Sequence, residues 1–242
     1  MVSTVVMALI GVVPVVGAAT VPAGAAVTSA SAAAGSLSIA SSQAEVRIGQ
    51  STIVSGTAKS ASGDRVAGGV IELWTRPVGS TAWSHVQNTR SNALGHFTFR
   101  YTPDQARVLQ ARLPGNAVVS PVATVGVRMG FDSFYAQGCY VGAPYIAMVG
   151  KAPKEAAGTI VTAEFYFNDL TVFWKRQSVG RVAADGSFYL SFSMSKGPWS
   201  VRAVLVGAPN VKGAVGPVWW VEVPLASPGN PEGCIPGRPA TD

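Results

Sequence analysis

"ALGHFTF" at residues 93–99 and "ADGSFYL" at 184–190 carry the same small-x-Gly-x-Phe-x-apolar pattern twice in one chain. Each places a turn ("NALG", "AADG") ahead of a strand whose side chains alternate. Gly95 and Gly186 supply the positive φ that a tight hairpin demands at low steric cost. Phe97, Phe99 and Tyr101 then fall on one face, as do Phe188, Leu190 and Phe192, while Thr98 and Arg100, or Tyr189 and Ser191, point the other way. Such a strand is half-buried, with its aromatic face filling a sandwich core.

Superposing Phe97 on Phe188 brings further landmarks into rough register. "TIVSGTAK" (52–59) falls opposite "YIAMVGKAPK" (145–154), "GGVIELWTRP" (68–77) opposite "TIVTAEFYFND" (159–169), and "SPVATVGV" (120–127) opposite "GPVWWVEV" (216–223). Two copies are too few for a solenoid, so each is expected to fold as its own domain. The expected organisation is an N-terminal segment and linker at 1–35, a first domain at 36–129, a second at 130–226 and a Pro/Gly-rich tail at 227–242.

Composition agrees with an all-β chain. The 242 residues are 48% hydrophobic and only 12% charged, with 27 Gly and 16 Pro, which favours short strands and frequent turns. Both copies are similar to the Ig-like, prealbumin-like β-sandwich repeats of exported bacterial surface proteins. "RSNALGHFTFRYTP" and "SPVATVGV" match well over 45–128, with Arg90 or Ser91 where those repeats have threonine. "VAADGSFYLSF" and "GPVWWVEV" match more loosely. The resemblance implies two tandem Ig-like antiparallel β-sandwiches with a surface, spacer or binding role. It does not choose among those roles.

The opening "MVSTVVMALIGVVPVVGAATVPAGAAVTSASAAAG" reads as an export segment. Its apolar run lacks a preceding positive charge, and an uncleaved anchor is the rival reading. Gly, Ala and Pro enrichment makes it a poor anchor. The expectation is therefore a secreted or extracellular protein, associated with the cell wall or free, without stable membrane insertion after cleavage. Cys139 and Cys234 are the only cysteines. In an exported chain this count suggests one disulfide enclosing the second domain and pinning the tail to it.

The net charge of +6 is concentrated in residues 45–129, where nine basic side chains face four acidic ones. They are scattered singly, without a Lys/Arg run, so a solvated basic surface is expected and nucleic acid is not an expected partner. His85 and His96 have no nucleophile elbow near them in sequence. The carboxylates are sparse, and a hydrolase pair assembled from Glu164 and Asp185 ranks last among the readings. No cofactor or metal motif appears, and a non-enzyme is expected.

The anomaly is aromatic. In "EFYFND" Tyr166 opposes Phe165 and Phe167 across the strand, and in "PVWWVEV" Trp219 and Trp220 must face opposite sides. Tyr166, Trp174, Tyr189, Trp219 and Trp220 are therefore the candidate ligand-facing residues, suited to stacking on sugar rings or docking a surface protein. The competing explanation is that they pack against the first domain, the tail or a loop.

Overall fold

The computed structural model describes residues 34–116, 118–167, 175–224 and 233–240. Residues 1–33 of the expected export segment and linker, and Trp174, lie outside these residues; Ala34 and Gly35, expected to be linker, belong to the first strand. The described residues form one compact unit, built from strands in four sheets.

The first half contributes β1 (Ala34–Leu37), β2 (Ala40–Ser41), β3 (Glu45–Arg47), β4 (Thr52–Ser60), β5 (Val70–Pro77), β6 (Ser84–Arg90), β7 (His96–Tyr101), β8 (Arg107–Arg112) and β9 (Ala123–Arg128). One sheet has β4 at its centre, with β1 and β2 on one edge and β7 on the other. The second sheet runs β3-β9-β8-β5-β6, with β3 and β9 parallel and the rest antiparallel. The inner faces are filled by alternate residues: Val54 on β4, Ile71 and Leu73 on β5, Phe97 and Phe99 on β7, and Val125 and Val127 on β9.

The second half repeats the plan with β10 (Ser133–Val141), β11 (Ala143–Lys151), β12 (Ile160–Phe167), β13 (Lys175–Arg181), β14 (Ser187–Ser193), β15 (Gly197–Leu205), β16 (Ala214–Val215), β17 (Trp219–Val223), β18 (Gly233–Pro236) and β19 (Arg238–Pro239). Its sheets run β14-β11-β10-β18 and β13-β12-β15-β17-β19, with β16 beside β15. The chain is thus two tandem antiparallel β-sandwiches of Ig-like type. Phe188, Leu190 and Phe192 are buried, as alternation requires.

The two glycine turns have matching hydrogen bonds. Asn92 N–H donates to His96 O and Gly95 N–H to Asn92 O, at 2.8 and 2.9 Å. Ala183 N–H donates to Ser187 O and Gly186 N–H to Ala183 O, at 2.7 and 3.0 Å. Gly95 and Gly186 have φ of 72° and 85°. The arms, however, do not form a hairpin ladder. β6 pairs with β5 while β7 pairs with β4, and β13 pairs with β12 while β14 pairs with β11. Each turn carries the chain from one layer of the sandwich to the other, which corrects the expectation of a simple hairpin. The turn docks on the opposite layer as it crosses: Ala58 N–H donates to Gly95 O and Ala152 N–H to Gly186 O, both at 2.9 Å.

The halves are joined by more than the connecting backbone. A turn at 208–211 in the second half carries Asn210 at φ 61°, a left-handed conformation that Asn tolerates better than most side chains. Asn210 O accepts from Ala106 N–H at 2.7 Å, and its Nδ2 donates to Val78 O at 3.1 Å. Lys212 N–H donates to Val127 O and Met129 N–H to Lys212 O, at 2.9 and 2.8 Å, extending the end of β9. Arg47 pairs with Asp132, and Glu45 pairs with Lys212 and, at 3.5 Å, with Arg128. Each exposed pair contributes about 0–1 kcal/mol, so the backbone bonds set the register of this junction and the charges support it.

Cys139 and Cys234 form a disulfide as direct cross-strand partners on β10 and β18. The tail then crosses at Gly237, whose N–H donates to Ala136 O at 2.9 Å, and continues as β19 along β17. Tail residues thus pair with both sheets of the second sandwich, and the disulfide holds one of those pairings.

Candidate functional site

The strand registers decide where each candidate aromatic lies. β10, β11 and β14 place Tyr135, Val149 and Tyr189 in one cross-strand row. Gln137, Ala147 and Ser191 form the next row, and Cys139, Tyr145 and Ser193 the one after. These positions alternate with the buried Phe134, Met148 and Phe188 and therefore form the outer face of the sheet. Tyr189 is 58% exposed and Tyr135 46%. Tyr145 and Tyr189 flank an open groove of about 370 Å³ that also includes Ser191, Ser193, Val141 and Pro144. None of those residues is charged. Tyrosine rings beside serine hydroxyls offer apolar planes next to hydrogen-bonding groups, the chemistry that suits a neutral sugar ring.

Tyr166 and Trp220 occupy the other sheet. Tyr166 pairs with Ser200 and Ser200 with Trp220, placing all three in one row on its outer face, and Arg238 of β19 pairs beyond Trp220. Both aromatics are half-buried. Ser200 Oγ between them is buried without a hydrogen-bond partner. Two residues along on the same face, Glu164 accepts from Arg202 at 2.9 and 3.0 Å, so this carboxylate sits in an ion pair. Asp185 lies in the second glycine turn, accepting from Ser187 N–H and Ser187 Oγ at 2.9 and 2.7 Å. These bonds to its charged form hold its carboxyl below the usual range. Glu164 and Asp185 thus have separate structural partners.

Trp219 must be corrected. Its ring points inward and packs edge-on against Phe134 at 6.0 Å, beside the Phe134–Phe188 and Phe131–Phe188 contacts. The adjacent Trp pair faces opposite ways as expected, and pairing of Trp219 with the fully buried Val201 makes it the inner member. Phe165 and Trp199 pack similarly at 5.4 Å. Much of the aromatic excess of the second half is core. The candidates do not converge on one surface: Tyr189 lies on one outer face, Tyr166 and Trp220 on the opposite one, and Trp219 between the sheets.

A second aromatic surface, in the first half, was not singled out from sequence. Trp74 faces outward on β5, in the same parity as Glu72 and Arg76, and donates from Nε1 to Glu72 Oε2 at 2.8 Å. The His85 ring meets it edge-on at 5.5 Å. The Arg112 guanidinium lies 4.6 Å from the centre of Trp74 and 4.9 Å from that of Trp83, and Arg76 lies 5.2 Å from Trp83 on the same ladder. The available signal was the alternation in "ELWTRP", which puts Trp74 with the polar parity.

Among the described residues, no group of three or more His, Cys, Asp or Glu is placed to hold a metal, and no helix is long and apolar enough to cross a membrane. No protein-family model and no curated protein matches the chain. It is similar to the solved structures of the Yersinia pseudotuberculosis adhesin InvE (13% identity, 78% of this chain and 59% of that one, TM-score 0.41) and of a tetra-tandem repeat in the extending region of a large adhesion protein (14%, 78% and 49%, 0.41). A third is the Escherichia coli adhesin FdeC (17%, 80% and 66%, TM-score 0.37). The chain spans about half to two thirds of the length of these structures. Likeness at this level says nothing of what the chain binds.

Proposed function

We propose that the chain is an exported, non-catalytic interaction module that presents two coupled sandwiches outside the cell, dividing near 129/130. The observation that carries this reading is the Cys139–Cys234 disulfide, which holds the tail strand against β10 and belongs to oxidising compartments. Support also comes from the junction, where backbone hydrogen bonds from Asn210 and Lys212 fix one sandwich to the other. A module coupled in this way displays its outer faces in a set orientation, which suits a spacer or docking role. The resemblance to Ig-like repeats of exported surface proteins points the same way.

The test is expression of the whole chain in a bacterial host, followed by fractionation and thiol alkylation before and after reduction. Export with a Cys139–Cys234-linked peptide supports the reading. Accumulation in the cytoplasm with both thiols freely alkylated overturns it.

A second reading, neutral-glycan binding, is favoured by the uncharged groove between Tyr145 and Tyr189. Flat tyrosine rings stack on the apolar face of a sugar, while Ser191 and Ser193 offer hydroxyls along the groove.

A further inference from the structure

The basic residues of the first half look scattered in sequence, but sheet pairing gathers several of them. β6, β5 and β8 are neighbours, so Arg76, Arg112, Trp74, Trp83 and His85 come from three separate stretches to one outer face. Arg90 on β6 shares that parity through its pairing with Val70. Of the four arginines on these strands, Arg76, Arg90 and Arg112 share the outer face, with Glu72 as the carboxylate among them.

The arrangement does more than concentrate charge. Each of these two guanidiniums, Arg76 and Arg112, lies over an indole and also makes a hydrogen bond. Arg112 Nε donates to Gln110 Oε1 at 2.9 Å, and Arg76 Nη1 donates to the Ser80 carbonyl. Arginine normally loses side-chain freedom on gripping an anion. Stacking on tryptophan removes much of that freedom beforehand, so less remains to be lost on binding. The planar fork matches a carboxylate, and the indoles under it hold the fork in place rather than meeting the ligand themselves.

We propose that this face binds an acidic polysaccharide whose repeating sugar carries a carboxylate. The ligand class and the surface are both distinct from the neutral groove of the second half, and neither proposal depends on the other.

The experiment uses the whole oxidised chain and measures retention on polygalacturonate at ~0.15 M salt. Two comparison probes are the same polymer fully methyl-esterified and a DNA duplex. Esterification removes the carboxylate charge and keeps the sugar backbone. Retention on polygalacturonate with loss on the ester and on DNA is expected. The double substitution Arg76→Lys, Arg112→Lys keeps the charge but removes the planar fork, and should weaken binding about tenfold.

Absence of retention on polygalacturonate overturns the proposal, and so does equal retention on the ester. Retention on DNA as strong as on the polysaccharide reduces the face to a general polyanion surface and overturns it too. Full affinity in the double lysine variant, with an unchanged melting transition, has the same consequence. The ester comparison needs no variant, so the proposal stays falsifiable even if the substitutions disturb folding.

Discussion

Phe188 of β14 lies directly across the strand pair from Gly150 of β11, and its ring occupies the space where a β-carbon on Gly150 would project: that carbon would fall 2.4 Å from Phe188 Cζ. The first sandwich repeats the relationship. Phe97 of β7 pairs with Gly56 of β4, and a β-carbon there would fall 2.5 Å from Phe97 Cζ. The recurring Phe of the two motifs is thus half of a device whose other half is a glycine about 40 residues upstream. An aromatic laid over a strand glycine restores the packing that the missing side chain forfeits.

Gly150→Ala tests this device. The new methyl would also meet Ser133 O at 2.6 Å, and backbone does not move aside as a flexible side chain does. Overpacking of this kind costs about 1–3 kcal/mol, and the backbone contact places the change toward the upper end. Urea unfolding should show a lower midpoint. An unchanged midpoint would mean that Phe188 re-seats freely.

These partners explain which parts of the structure were legible in sequence. The alternation of Phe97, Phe99 and Tyr101 needed only the period of a strand, and the pairing of Cys139 with Cys234 only a count of two. The sheet membership of β6 and β7 was not legible. A type of turn with Gly at its end fits a hairpin and a layer crossing equally well, and the choice rests on which distant strand each arm meets. Trp219 and Trp220 pose the same problem: alternation separates them, but pairing of Trp219 with Val201 decides which enters the core. In the ladder of Arg76, Trp83, Arg112 and Trp74, alternation puts Trp74 and Arg76 on one face, but only the pairing of β5 with β8 brings Arg112 to them.

Breaking the disulfide should loosen the tail. The bond closes a loop of separation 95, for which loop-closure entropy gives roughly 4–5 kcal/mol, and native disulfides typically contribute about 2–4 kcal/mol. Cys139→Ser with Cys234→Ser should lower the melting temperature and raise amide exchange along β18 and β19. If exchange there is unchanged, the strand pairing alone holds the tail.

The junction makes its own prediction. Asn210→Ala removes the Nδ2 bond to Val78 O and places a residue less tolerant of left-handed backbone at φ 61°. The expected loss is about 1–2 kcal/mol. Small-angle scattering should report a broader distribution of maximum dimension for the variant. Identical scattering would show that Lys212 and its backbone partners suffice to fix the two sandwiches.

Asp185 supplies a pH test. Its bonds from Ser187 Oγ and N–H favour the carboxylate, so its pKa lies below that of the unfolded chain. The contribution to the turn is therefore present above the ordinary carboxylate pKa of about 4 and lost as pH falls through the lowered value. Carbon-detected NMR titration should place Asp185 below an ordinary aspartate, and Ser187→Ala should move it back up. An ordinary value in the unsubstituted chain would remove the turn from the acid-sensitive parts of the fold.

The neutral-glycan reading separates the two outer faces of the second sandwich. Tyr189→Ala removes one wall of the groove from a side chain that is 58% exposed, so folding should be little affected. Trp220→Ala alters the opposite sheet, where the ring is half-buried beside Ser200 and next to Arg238 of the tail. If the groove binds sugar, retention on an insoluble neutral polysaccharide should fall about tenfold or more in the first variant and persist in the second, with little change from added salt, because ring stacking does not depend on charge. Loss in Trp220→Ala with retention in Tyr189→Ala would move the site to the Tyr166–Ser200–Trp220 row. Equal retention in both would remove these aromatics from binding and leave the second sandwich as a spacer.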